Sequence, residues 1–284
     1  MTKQASVTGS YQELWHRLTA VYDDREAKAV AQWLLDTAFG LSMADVLCDG
    51  LARLTPAEHE RLELMLARLE QGEPVQYVVG KADFCGRQFQ VEPGVLIPRP
   101  ETAELCRWIV ADVSRSAPAI LDIGTGSGCI AVTLALETGA NVTASDLSPA
   151  ALRVAHGNAS GLGARVTFLE GDLWDALPED AGPFDIIVST PPYIRAAELE
   201  DLQPEVRDHD PRMALDGGED GLVFYRRIAA GAPAYLADNG RLYVEMGAEQ
   251  GPDVEALFAA AGFSEIRTVR DLAGLDRVVC GVKR

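Results

Sequence analysis

Seven residues, Asp122-Ile-Gly-Thr-Gly-Ser-Gly128, follow the apolar run AILDI and precede a helical stretch from Cys129 to Glu137. A glycine-rich turn between a strand and a helix lets the backbone close on a ligand, because glycine has no Cβ to hold it off. Eighteen residues past Gly128 a second run, VTASD, ends on Asp146. An acid at that place can accept from both hydroxyls of a ribose. The pattern predicts a nucleoside-containing ligand held by Asp122, Gly124, Thr125, Gly126, Ser127, Gly128 and Asp146. The order Gly-Thr-Gly-Ser-Gly departs from the GxGxxG of dinucleotide sites, and the Gly-Lys-Ser/Thr ending of a P-loop is absent. A third run, RVTFLE, leads into Gly171-Asp172-Leu173-Trp174, so Asp172, Leu173 and Trp174 are candidates for the adenine side of that ligand. For Trp174 a place in the core is an equal alternative.

A fourth run, FDIIVS, passes directly into Thr190-Pro191-Pro192-Tyr193. This ending resembles Asn-Pro-Pro-Tyr, the target-nitrogen motif of class I aminomethyltransferases, at three of four positions, with Thr190 in place of the asparagine. An amide or aromatic-amine nitrogen has a delocalised lone pair, so acceptors that bind its N–H groups can hold it in line with a sulfonium methyl. In the family's pattern the asparagine side chain and the first proline's carbonyl supply those acceptors. Pro191 retains its carbonyl, and Tyr193 can stack on a planar group. The Thr190 hydroxyl accepts one bond but is shorter than a carboxamide and sits on a branched carbon, so slowed transfer is expected. No general base is assigned, because the amide can lose its proton after the nitrogen has attacked.

Longer stretches, EPVQYVVGKADFCGRQFQVEPGVLIPRPET, DIGTGSGCIA, DLSPAAL, PEVRDHDPRMALDGGEDG, EMGAEQG and DRVV, are similar to the HemK/PrmC family over roughly residues 73 to 284. The resemblance implies S-adenosylmethionine as cofactor, S-adenosylhomocysteine as product, no metal, and bacterial class 1 peptide-chain release factors as partners. It implies methylation of the glutamine in their Gly-Gly-Gln motif to N5-methylglutamine. Carried over to this chain, Gly124 to Gly128 cradle the methionine part, Asp146 the ribose, and Leu173 or Trp174 the adenine side. Thr190, also beside the cofactor, joins Pro191, Pro192 and Tyr193 around the glutamine amide, and Phe84, Pro98 and Arg99 line the entrance. Ala103 departs from the usual PRPETE run, and Leu173 stands where some members place an aromatic.

The elements that must position these residues are legible as patterns. After Pro118 apolar runs alternate with helical stretches, which predicts a doubly wound, mainly parallel sheet. Its last strand, DRVVCGV, follows Ser264 to Thr268 too closely for a helix and is expected to enter antiparallel. The expected fold is therefore a class I methyltransferase, preceded by a small all-helical domain over residues 1–73. A β-hairpin linker is expected over 74–99, punctuated by Gly80, Gly86 and Gly94, and the catalytic domain over 100–284 with a helix from Thr102 to Ser114. The clearest N-terminal helix starts at Thr55-Pro56 with Glu58 behind and places Leu62, Met65, Leu66 and Leu69 on one face. The Asp216-Gly-Gly-Glu-Asp-Gly221 run reads as a loop and helix cap. Arg99 reads equally as a surface ion pair with Glu101.

Composition limits the alternatives. A net charge of -18 argues against a protein that must neutralise a phosphate backbone, and so against a DNA or RNA adenine-amino methyltransferase. The glycine spacing and the Pro-Pro-Tyr ending fit an NAD-dependent dehydrogenase poorly. The adenine-amino methyltransferase stays the leading alternative enzyme, and a catalytically weak release-factor-binding protein, with Thr190 as its sign, is an alternative of another class. Five scattered cysteines without a CxxC pair, and His16, His59, His156 and His209 without ligand spacing, suggest neither disulfides nor a metal. No signal core or apolar span is evident, so a cytoplasmic, monomeric protein that meets no membrane and no nucleic acid directly is expected.

Overall fold

The structure, a computed structural model, describes residues 10–113 and 115–284. The chain divides into two compact units, one ending at Lys81 and one beginning at Ala82.

The first unit is helical: α1 Tyr11–Leu18, α2 Asp24–Phe39, α3 Met43–Leu47, a 3-10 turn at Gly50–Arg53, α4 Pro56–Leu69 and α5 Val75–Val79. Helix α4 begins where capping chemistry places it. The Thr55 side chain accepts from the Glu58 amide, the Glu58 carboxylate accepts from the Thr55 amide, and Pro56 occupies the first turn. Leu62, Met65, Leu66 and Leu69 are all buried on one face, packed with Leu14, Leu18, Leu34 and Leu35. The expected edge at Gly72 to Pro74 moves outward, because Val75 and Val78 of α5 are buried in this same core. The expected hairpin over 74–99 accordingly contracts to β1 Lys81–Phe84 and β2 Arg87–Gln90.

In the second unit, α6 Pro100–Asp112 precedes β3 Ala119–Ile123, α7 Cys129–Thr138, β4 Asn141–Asp146, α8 Pro149–Leu162, β5 Val166–Glu170 and β6 Phe184–Ser189. Ser114, the expected last residue of α6, lies outside the described residues. Then come the short α9 Pro204–His209, α10 Val223–Tyr235, β7 Leu236–Glu245, α11 Gly251–Ala260, β8 Ser264–Arg270 and β9 Asp276–Val282. The seven-stranded sheet runs β5-β4-β3-β6-β7-β9-β8. β9 is antiparallel to both neighbours and all other pairings are parallel, as the short connection before DRVVCGV requires. This is the class I methyltransferase fold.

Each face of the sheet has its own core. Leu105, Cys106 and Ile109 of α6 and the apolar residues of α7 pack with Ile120, Val188 and Tyr243. Tyr225, Ile228, Ala229 and Ala232 of α10 and Phe258 of α11 pack with Leu121, Ile187 and Leu242. Burial on both faces explains why these strands read as continuous apolar runs rather than alternating ones. Among the described residues no helix is long and apolar enough to cross a membrane.

Thr55→Ala removes the reciprocal cap of α4 and should lower stability by about 1 kcal/mol in urea unfolding. Glu58→Ala should lose a comparable part of it, and the double variant little more than either alone.

Candidate functional site

β3 and β6 are neighbours in the sheet, yet the chain passes through β4 and β5 between them, so the strand order reverses at this pair. A crevice therefore opens beyond their carboxyl ends. The Ser189 hydroxyl donates to the Ile123 carbonyl at 2.8 Å and ties the two strand ends together.

The glycine loop is built onto the end of β4. Gly124 and Thr125 amides donate to the Ser145 carbonyl at 2.8 and 2.9 Å, and the Gly126 amide donates to Asp146 Oδ2 at 2.8 Å. Gly124 and Gly126 have φ of 75° and 55°, and nothing lies within 4 Å of where a Cβ would point at either. Gly128 serves packing instead. A Cβ there would stand 3.0 Å from the Ala155 side chain of α8, at φ 78°. Asn158 of α8 fastens the hairpin to this loop, donating to the Ser127 carbonyl at 2.8 Å and to the Gln90 carbonyl at 3.0 Å.

Asp146 accepts the Gly126 amide on one oxygen and the Ser148 amide on the other, which leaves a lone pair on each. Its burial pushes its pKa above the usual carboxylate value. Asp122 is fully buried beneath the loop rather than lining the crevice. Its Oδ2 accepts from the Thr125 hydroxyl at 2.6 Å, its Oδ1 has no partner, and burial pushes its pKa up to about 7. Ser127 Oγ is likewise buried without a partner.

One cavity brings most of the sequence-predicted residues together. Gly124, Thr125, Gly126, Ser127 and Asp146 line it with Asp172 and Leu173. Thr190, Pro191, Pro192 and Tyr193 complete it with Pro98 and Arg99. Asp172 is ion-paired to Arg227 at 2.8 Å, and Arg99 pairs with Asp210, not with Glu101. Besides Asp122 and Gly128, which lie outside the cavity lining, two further expectations are corrected. Trp174 turns away from the cavity, stacks on Tyr235 with ring centroids 5.0 Å apart, and donates its indole N–H to the Arg227 carbonyl. Phe84 is buried in the sheet's core edge-on to Phe89, 5.9 Å away, because the hairpin that carries it folds inward there.

Four features escaped sequence reasoning as parts of the site. The Asp216–Gly221 run braces the Pro-Pro-Tyr turn: the Ile194 amide donates to the Leu215 carbonyl and the Gly217 amide to the Ile194 carbonyl. A Cβ on Gly217 would meet Tyr193 Cα at 2.8 Å, which makes the glycine obligatory for this close approach. Gln250 locks the same turn, donating to the carbonyls of Tyr193 and Gly221. Glu245, at the end of β7, is 5% exposed and lines the cavity. Leu147, 55% exposed, also lines it and adds apolar surface beside Asp146. The advance signals were the paired glycines and the stretches DLSPAAL and EMGAEQG, which hold Leu147, Glu245 and Gln250.

Comparison with known proteins finds close relatives over most of the chain. Residues 11–80 match the family model described as the PrmC N-terminal domain, and residues 120–209 one described as a methyltransferase domain. The release factor glutamine methyltransferase of Geobacter sulfurreducens is 46% identical over 90% of this chain and 89% of its own. That of Bacteroides thetaiotaomicron is 39% identical over 92% and 95%. In fold, the chain is similar to a methyltransferase from Pyrococcus furiosus, at a TM-score of 0.54 and 17% identity, covering 81% of this chain and 99% of that one.

A carboxyl whose pKa is higher folded than unfolded adds stability at low pH and loses it as pH rises through the folded value. Asp122, with its pKa up to about 7, should therefore make the protein melt lower at pH 8 than at pH 5. Asp122→Asn should reduce that slope in calorimetric melts over the same range.

Proposed function

The chain belongs to the release factor glutamine methyltransferases, and from this premise we propose that it methylates the side-chain amide of the Gly-Gly-Gln glutamine in bacterial class 1 peptide-chain release factors. The products are N5-methylglutamine and S-adenosylhomocysteine. The observation that carries this reading is a single cavity bordered both by the glycine loop and by Thr190 to Tyr193.

The residues present fit S-adenosylmethionine. Gly124 and Gly126 leave space where side chains would stand, Ser127 Oγ is orphaned, and Asp146 keeps acceptor capacity. When bound, that cofactor supplies an electrophilic methyl group on a sulfonium sulfur. Backbone amides of the loop hold its methionine part, Asp146 accepts from the ribose hydroxyls, and Leu147 and Leu173 offer apolar surface to the adenine. The Pro191 carbonyl and the Thr190 hydroxyl accept from the target amide, and Tyr193 packs on its plane. Orientation of a weak nucleophile and exclusion of water supply most of the acceleration. The helical unit, which matches the PrmC N-terminal domain, recognises the release factor. We place the chain in the cytoplasm, where its five free cysteines would stay reduced, and take it to act as a monomer.

Incubating the protein with a class 1 release factor and S-adenosylmethionine should add one methyl group to the Gly-Gly-Gln glutamine, read by peptide mass spectrometry. An unmodified glutamine would sink the proposal. Thr190→Asn restores a carboxamide acceptor and should raise single-turnover rate by up to ~10²-fold. Equal rates would show that the hydroxyl already serves.

A further inference from the structure

Glu245 has no part in the chemistry described so far, yet the register of the sheet sets it next to the target pocket. β6 and β7 run parallel with Ser189 opposite Val244. The following residues, Thr190 and Glu245, therefore leave the two strands side by side. In-register residues of adjacent strands point to the same face. Val188 and Tyr243, two residues back on each strand, both pack into the core under α6. Thr102 of α6 meets Glu245 on that face, donating its hydroxyl to Oε2 at 2.7 Å. Among the described residues no donor meets Oε1, while the side chain lines the cavity and is 5% exposed.

A buried carboxylate held by one oxygen, with the other unpartnered beside a pocket for an amide, is poorly explained by stability. Burying a charge with a single hydrogen bond is costly. Resting on the function proposed above, we propose that Glu245 is a catalytic residue: its Oε1 accepts a hydrogen bond from the target amide and takes the proton that amide sheds on methylation. The amide nitrogen gains the methyl carbon while the carbon–sulfur bond breaks with its electrons going to sulfur. The N–H proton passes to Oε1, and the neutral carboxyl then releases it to water. A carboxylate here also offsets the positive charge that develops on nitrogen, and it supplies an acceptor where Thr190 offers less than a carboxamide.

The groups facing Glu245 leave it suited to this exchange. Burial raises its pKa to about 6, against the lowering effects of the Thr102 hydroxyl, Arg277 of β9 and Arg99 before α6. Glu101 of α6 pushes it up, and Tyr193 and Tyr225 of α10 sense its charge.

The test is single-turnover methylation of a full-length release factor across pH 5 to 8. The wild-type rate should rise with pH through about 6 and then level. Glu245→Gln should be slower by on the order of 10²-fold and lack the inflection, with S-adenosylhomocysteine affinity unchanged by calorimetry. Thr102→Val removes a bond that lowers this pKa, so its inflection should move to higher pH. Without cofactor or turnover, 13C NMR of carboxyl-labelled glutamate should show one resonance titrating near about 6 in the wild type and missing from Glu245→Gln. A Glu245→Gln rate and pH profile equal to wild type would overturn the proposal. Should that variant melt early, Thr102→Val decides alone, and an unmoved inflection overturns it. A wild type that leaves the glutamine unmethylated removes the functional reading itself, an outcome separate from both.

Discussion

The parallel pairing of β3 with β6, across the point where the strand order reverses, is the constraint on which the site depends. Helices from successive crossovers diverge to opposite faces there, and the space beyond the strand ends is left for a ligand. The bond from Ser189 to the Ile123 carbonyl joins the strand that leads to the glycine loop with the strand that leads to Thr190. Two segments 60 or so residues apart in sequence thereby face one cavity. Catalysis by positioning needs this kind of rigidity, since a misplacement of about 1 Å can cost about 10²-fold in rate.

Around that pair the protein keeps carboxylates in places where they are expensive. Asp122 under the loop, Asp146 beside it and Glu245 at the end of β7 all have pKa values raised chiefly by burial. Each is held by few donors: one threonine hydroxyl for Asp122, two backbone amides for Asp146, one threonine hydroxyl for Glu245. Two of them, Asp146 and Glu245, line one cavity and the third lies beneath its loop, the expected signature of a working site rather than of a structural ion-pair network. The ion pairs elsewhere, such as Arg68 with Glu73 or Arg270 with Asp276, are more exposed and contribute little individually.

The turn that carries Thr190 to Tyr193 is rigid for a different reason. Its backbone is enclosed by the glycines of Asp216–Gly221 and clamped by the Gln250 carboxamide, which bonds to Tyr193 and Gly221 at once. Gln250 is positioned in turn by the Gly247 amide and by the Tyr225 hydroxyl, which also reaches the Glu245 carbonyl. The pocket for a planar nitrogen is thus continuous, through hydrogen bonds, with the ends of β7 and α10.

Local chemistry made several elements legible before any coordinates. The α4 cap needs only Thr55, Pro56 and Glu58, three neighbours in sequence, and it appears where those residues place it. The glycine loop and Asp146 follow from strand endings, because doubly buried parallel strands announce themselves as apolar runs and end at one edge. Identity of the Thr-Pro-Pro-Tyr turn likewise needs no contact map. What only the tertiary structure decided is which side chains face the cavity and which face the core. Trp174 and Leu173 are adjacent, yet one stacks on Tyr235 and the other lines the site, since Leu173 takes φ 52° and turns the chain between them. Phe84 went to the core, Arg99 found Asp210 more than a hundred residues away, and Glu245 came beside Thr190 through sheet register. Spacing along a chain governs short-range hydrogen bonds and periodicity, whereas long-range pairing is settled by how strands and helices bury their faces together.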